Sequence, residues 1–229
     1  MALQAVRYRQ ADEFEDRTRV AIAEFLLHLR QRGITDRQIL AALEAVPRRL
    51  FIEGEGLHPP LFAERPQAIA CGQTNTPPMT IALMLKALVL TGRERVLDVG
   101  TGTGYLAAVL SMMTRHVYTI ERFRTLAEAA LARFEAIRSN SITAVHGDGI
   151  HGWSDKAPFD RIVTIASSRE PPKYLIEQLA PNGIMIMPIG PADGPQVLTR
   201  FQRVDRQIEA SPIGSVRFVP IIPGKALRL

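Results

Sequence analysis

Arg95-Val-Leu-Asp-Val-Gly-Thr-Gly-Thr-Gly-Tyr105 is the stretch that decides the fold. An apolar run carries Asp98 near its end, and glycines follow at 100, 102 and 104. This reads as a buried strand, a tight turn and then a helix over residues 105–113. Glycine lacks a Cβ and tolerates positive φ, so backbone at such a turn can approach a ligand closely. A dinucleotide fingerprint is G-x-G-x-x-G, with pyrophosphate at the helix N-terminus. Here the third glycine comes one residue early, and Asp98 sits two residues before the first. That combination suits a ligand with an amino group and no phosphate.

Working outward, His116-Val-Tyr-Thr-Ile-Glu121 reads as a second strand ending in an acid. In nucleotide-binding α/β folds an acid there accepts from ribose hydroxyls. Residues 126–137 have helical spacing. Ile142-Thr-Ala-Val-His146 then reads as a third strand running into Gly147-Asp148-Gly149, where the acid can accept from an adenine amino group. Taken singly, Glu121 is an ordinary strand terminus and Asp148 ordinary turn chemistry. Three acids at three successive strand ends form one constellation.

Before this region, residues 11–32 and 35–46 read as helices separated by Gly33 and stopped before Pro47. Residues 48–51 read as extended. Residues 54–78, rich in Gly and Pro, read as an irregular covering segment, long for a compact domain. A helix over 80–90 leads to the sheet near Arg93. After it come a fourth strand over 159–166, a helix over 174–179, a fifth strand over 183–190 and late strands over 196–204 and 213–219. The expected fold is therefore α/β: a mostly parallel twisted sheet, helices on both faces, and an antiparallel C-terminal strand. Residues 1–92 are expected to form a helical, substrate-covering subdomain, and 93–229 the ligand-binding α/β part of one compact unit. Ligands of open α/β sheets bind outside the carboxyl ends of the strands, where these acids and glycines fall.

Composition constrains the function classes. At 46% hydrophobic and 22% charged, the 229 residues suit a globular chain with a sizeable core. The net charge of +5 admits nucleic acid or acidic peptides as partners, but the basic residues of 200–229 are spread out and lack interleaved aromatics, so no stable nucleic-acid partner is expected. The single cysteine, Cys71, cannot form an internal disulfide and is read as a packing residue, which fits the cytoplasm. No apolar run approaches a membrane span. The five histidines form no ligand-spaced cluster, so no metal is expected.

With these residues in place, the chain resembles the protein-L-isoaspartate O-methyltransferase family of class I S-adenosylmethionine-dependent methyltransferases. Val46-Pro-Arg-Arg-Leu-Phe51, Gly72-Gln-Thr-Asn-Thr-Pro-Pro78, Gly100-Thr-Gly-Thr-Gly-Tyr105, Val117-Tyr-Thr-Ile-Glu-Arg122, His146-Gly-Asp-Gly149, Gly152-Trp153, Ala157-Pro-Phe-Asp160 and Val216-Arg-Phe-Val-Pro220 follow the family's motifs in its order. The resemblance implies a Rossmann-like methyltransferase fold and S-adenosylmethionine as cofactor, with S-adenosylhomocysteine as product. It implies methylation of the α-carboxylate of isoaspartyl residues in damaged proteins. It implies cofactor contacts from Asp98, Gly100, Thr101, Gly102, Gly104, Glu121, Arg122, Asp148 and Gly149. It assigns Thr76 to the position of the family's active-site serine, and substrate contacts to Gln73, Thr74, Asn75, Thr76 and Val219. The chain departs from the family at Asn75, Thr76, Pro77, Met79 and Thr80, all beside the expected acceptor. A methyltransferase of the same frame acting on a small-molecule carboxyl or hydroxyl group therefore stays open. So do a nucleic-acid methyltransferase and a cofactor-sensing interaction protein.

Overall fold

The computed structural model describes residues 2–52 and 61–226, with side chains placed from residue 16 onward. Two helices, α1 (Ala2–Gln31) and α2 (Arg37–Ala45), precede a short antiparallel pair, β1 (Gln67–Ile69) and β2 (Gln73–Asn75). Helix α3 (Pro78–Leu88) follows. Then come β3 (Arg95–Val99), α4 (Tyr105–Ser111), β4 (His116–Glu121), α5 (Arg124–Ala136), β5 (Ile142–His146), β6 (Phe159–Thr164), α6 (Lys173–Glu177), β7 (Leu179–Ile189), β8 (Gln196–Val204) and β9 (Gln207–Val216). The main sheet has the order β5-β4-β3-β6-β7-β8-β9. Its first five strands are parallel, and β8 runs against both neighbours.

The alternation of the strands explains the layers. Successive residues of a strand face opposite sides of the sheet. Val96, Val117, Val163, Ile184 and Ile186 face α4, α5 and the N-terminal helices, in one core with Leu29, Leu43, Phe51, Leu85 and Leu110. Leu97, Val99, Ile162, Met185 and Met187 face the other way, onto Leu175 of α6 and Phe159. Strands buried on both faces read as continuous apolar runs, which is why β3 and β7 stand out in the sequence.

Local chemistry sets several boundaries. The Asp36 carboxylate accepts from the Gln38 and Ile39 N–H groups and caps α2. Pro78 sits at the first position of α3, where its missing N–H costs nothing.

Four expectations are corrected. Residues Arg48–Phe51 form a 3₁₀ turn rather than an extended run, because the Leu50 N–H closes on the Pro47 carbonyl and Arg48 turns inward. The segment expected to be irregular over 54–78 contains β1 and β2; its residues 54–60 lie outside the described residues, as does His58. Helix α6 ends at Glu177, and β7 begins at Leu179, ahead of the apolar run from Gly183. The last strand spans Gln207–Val216 rather than 213–219, since β8 and β9 join in a two-residue turn at Asp205-Arg206 with Asp205 at φ 53°. That turn has no glycine to announce it.

Candidate active site

The cleft lies at the carboxyl ends of the parallel strands and encloses about 610 Å³, open mouth included. Gly100 and Gly102 line it from the turn after β3, Glu121 and Arg122 from the end of β4, and Gly149 from the loop after β5. Gln73 and Thr74 of β2 and Val219 of the C-terminal segment face them. The remaining expected site residues, Asn75, Thr76, Asp98, Thr101, Gly104 and Asp148, are close in sequence to lining residues but are not part of the lining.

The glycine turn is held by the strands beside it. Gly100 has φ 95°, and a Cβ there would meet Ile165 Cγ1 at 2.9 Å. The Gly100 and Thr101 N–H groups both donate to the Ile120 carbonyl. Gly102 N–H donates to Glu121 Oε2 at 2.9 Å, and Phe123 N–H donates to Oε1 at 3.0 Å. Glu121 therefore braces the turn while facing the cleft. Burial raises its pKa, and the backbone donors oppose that rise. Gly104, at φ 91°, opens α4, and a Cβ there would strike the Phe134 ring at 2.8 Å.

Asp98 is fully buried. Its Oδ2 accepts from Thr119 Oγ1 at 2.9 Å, and Thr119 Oγ1 lies 2.6 Å from Thr101 Oγ1. Its Oδ1 has no hydrogen-bond partner among the described residues. Burial, opposed by the Thr119 hydroxyl and aided by nearby Glu121, raises the Asp98 pKa to about 7. A carboxyl that holds its proton more tightly when folded contributes stability that is complete below the unfolded value of 3.8 and lost as pH rises toward 7. Asp98→Asn is expected to abolish this dependence, worth about 4 kcal/mol across that window. Thermal melts of the ligand-free protein between pH 4.5 and 7.5 check it, and parallel curves for the two proteins would refute it.

Asp148 also fastens backbone near and far along the chain. Oδ1 accepts from the Ile150 N–H and Oδ2 from the Gly224 N–H at 2.6 Å, so both oxygens already meet backbone donors. The C-terminal segment is also fastened at Arg122, whose carbonyl accepts from Ala226 N–H and whose Nε donates to the Gly224 carbonyl. Thr76 is buried at the end of β2, and its hydroxyl has no hydrogen bond among the described residues. Asn75 Oδ1 accepts from Thr103 Oγ1 at 3.4 Å, linking β2 to the glycine turn. Cys71, at φ 61°, packs beside Ile69, Phe123 and Leu126. No group of three or more metal-ligating side chains occurs among the described residues.

Sequence reasoning missed the role of Arg48, which was visible only as part of a motif. It is 3% exposed, with Nε donating to the Leu61 carbonyl at 2.6 Å and Nη2 to the Thr76 carbonyl at 3.4 Å. Its guanidinium lies 4.3 Å from the centre of the Tyr105 ring. It also missed the apolar wall of Ile165 and Ala166; the only signal was the run of apolar residues at a strand end.

A parallel α/β sheet with a glycine turn, acids at its strand ends and one late antiparallel strand defines a Rossmann-like methyltransferase of class I. The chain belongs to the protein-L-isoaspartate(D-aspartate) O-methyltransferase family, whose sequence profile matches residues 21–226. Among its relatives, a protein-L-isoaspartate O-methyltransferase of Ruegeria sp. (strain TM1040) is 42% identical over 206 residues, covering 88% of this chain and 93% of the relative. One from Dinoroseobacter shibae is 42% identical over 205 residues, covering 90% and 94%. A similar solved structure is a putative family member from Plasmodium falciparum in complex with S-adenosyl-L-homocysteine. It has a TM-score of 0.75 and 27% identity, and the match covers 87% of this chain and 97% of that one.

Proposed function

We propose that this chain methylates the α-carboxylate of L-isoaspartyl residues in damaged proteins or peptides, with S-adenosylmethionine as donor, and so starts their repair through a succinimide. The observation that carries the reading is the cleft, which sets a glycine turn and Glu121 opposite Gln73, Thr74 and Val219 in a chain of this family. The residues fit the cofactor. Gly100 and Gly149 let backbone pack against Ile165 and Val99, where a Cβ would collide, and so bring main chain to the cleft lining. Asp98 Oδ1 is a buried acceptor without a donor among the described residues. Gly100, Thr101, Gly102 and Gly104 with Asp98, Glu121, Arg122, Asp148 and Gly149 would hold it, Asp98 through the Thr119 and Thr101 hydroxyls it orders and Asp148 through the backbone it fixes. When bound, it supplies an electrophilic methyl group.

The chain's own residues orient the acceptor and exclude water. A carboxylate is ionised at neutral pH and needs no general base. Thr76 donates its free hydroxyl to one acceptor oxygen and fixes the line of approach, with Gln73, Thr74, Asn75 and Val219 around the peptide. Residues 1–92, joined by Val219, carry the acceptor side, and the rest of 93–229 the cofactor side. Neutralising charge in a cleft walled by Ile165, Ala166 and Pro220 favours the less charged transition state. We place the reaction in the cytoplasm, which the single cysteine supports, with no stable nucleic-acid partner. No helix among the described residues is long and apolar enough to cross a membrane.

The test is methyl transfer from labelled S-adenosylmethionine to an isoaspartyl peptide and to its normal aspartyl twin. Base-labile label on the isoaspartyl peptide alone is the expected result. No label, with cofactor binding intact by calorimetry, would move the assignment to a small-molecule acceptor. Thr76→Ala is expected to lower kcat about 10²-fold with cofactor affinity within about twofold, and Thr76→Ser to restore most of it. Equal losses of rate and cofactor affinity would remove Thr76 from this role.

A further inference from the structure

The C-terminal segment crosses the cleft between two separate anchors. At its far end, Gly224 and Ala226 are tied to Asp148 and Arg122. At its near end, residues 218–221 are tied to a side chain that no cleft contact identifies. Gln196, the first residue of β8, is fully buried. Its Oε1 accepts from the Phe218 N–H at 2.7 Å. Its Nε2 lies 3.0 Å from each of three acceptors: the Phe218 carbonyl, the Pro191 carbonyl and Ser167 Oγ. Ser167 continues the chain of contacts. Its N–H donates to the Val219 carbonyl at 2.8 Å, and its own carbonyl accepts from the Ile221 N–H at 2.8 Å. One amide thus joins the exit of β6, the turn between β7 and β8, and the segment whose Val219 lines the cleft.

We infer that Gln196 is a positioning residue that sets the acceptor wall of the cleft through Ser167 and Val219. The inference rests on the proposed isoaspartyl reading, because it needs Val219 to face the acceptor. Its physical basis is the convergence of these groups on a single buried amide. Without it the Phe218 N–H and carbonyl and the Pro191 carbonyl lose their partner, and the Ser167 hydroxyl keeps only a longer contact to the Val219 carbonyl at 3.4 Å. The segment's near end then loses its fixed register, while the anchor at Asp148 and Arg122 is untouched. The two anchors should therefore separate kinetically: the near one acts on the acceptor, the far one on the cofactor.

The experiment uses the full chain with an isoaspartyl hexapeptide and S-adenosylmethionine. Gln196→Met keeps the length and shape of the side chain and removes all of its hydrogen bonds. It is expected to raise the peptide KM about tenfold or more, with kcat and S-adenosylhomocysteine Kd within about threefold. Hydrogen exchange should accelerate at Phe218 and Ile221 and stay unchanged in β3 and β4. Ser167→Ala, which keeps the backbone pair to Val219, should raise KM by about threefold. Asp148→Asn should show the opposite split, a weakened cofactor with a smaller change in peptide KM. If Gln196→Met does not fold, Ser167→Ala decides through the same split. Parallel loss of peptide and cofactor affinity, or an unchanged KM in a folded variant, would overturn the inference. No transfer by the unaltered protein would instead overturn the isoaspartyl reading, and the inference with it.

Discussion

Arg48→Ala is expected to lower the melting temperature by roughly 6–12 °C, about 3 kcal/mol for a chain of this size, and kcat by about tenfold. Arg48 is a buried cation with no carboxylate in ion-pair range among the described residues. Burial pulls its pKa below the ordinary guanidinium value, yet guanidinium groups stay protonated in proteins. What compensates it is Tyr105, the carbonyls of Leu61 and Thr76, and the charge of Glu64 beyond ion-pair range. These contacts join three places: the segment entering β1, the end of β2, and the helix after the glycine turn. Alanine leaves two carbonyls without their donor and a void against Tyr105. Lysine presents one compact ammonium that cannot stack flat or fork between both carbonyls, so Arg48→Lys should recover less than half of the loss. Arg48→Met separates stability from rate. Filling the site with apolar volume can restore much of the stability, because a desolvated cation is itself costly. It cannot restore the donor to Thr76, so kcat should stay low. Differential scanning calorimetry with saturation kinetics reads both. A melt of Arg48→Ala within about 2 °C of the unaltered protein would contradict the account.

Glu121→Gln should weaken S-adenosylhomocysteine binding about 10²-fold, near 2.7 kcal/mol. The carboxylate accepts from Gly102 and Phe123 N–H groups, one on each oxygen, and lines the cleft. An amide has one accepting end. Whichever way it turns, an NH₂ group meets a backbone N–H, and either the glycine turn or the chain entering α5 must shift. The remaining acceptor capacity for a ribose hydroxyl falls at the same time. Isothermal titration measures the affinity directly. A Kd within about threefold would show that Glu121 only braces the turn.

Much of the frame was legible from local chemistry. Five apolar runs, a glycine turn and acids at strand ends gave the parallel strands and the end of the sheet where ligands bind, because burial on both faces and tight turns leave marks within a few residues. Gly33 marked the break between α1 and α2, and Gly100 the left-handed turn after β3. Where the marks were weak the boundaries moved. Asp205-Arg206 made a hairpin turn without glycine, and Arg48 curled inward where Pro47 followed by charged residues read as extended chain.

The sequence by itself thus determined the class of fold and the family, and pointed to the strand ends where the acids and glycines fall. Only the tertiary structure decided which of them touch the cleft and which hold it in shape. Asp148 finds Gly224, 76 residues away; Arg48 finds Thr76, 28 residues on; Gln196 gathers Ser167, Pro191 and Phe218. Such contacts leave no periodic or motif signal. A buried amide or guanidinium is specified by acceptors that only folding brings together, and each must be paired because an unpaired one is costly away from water.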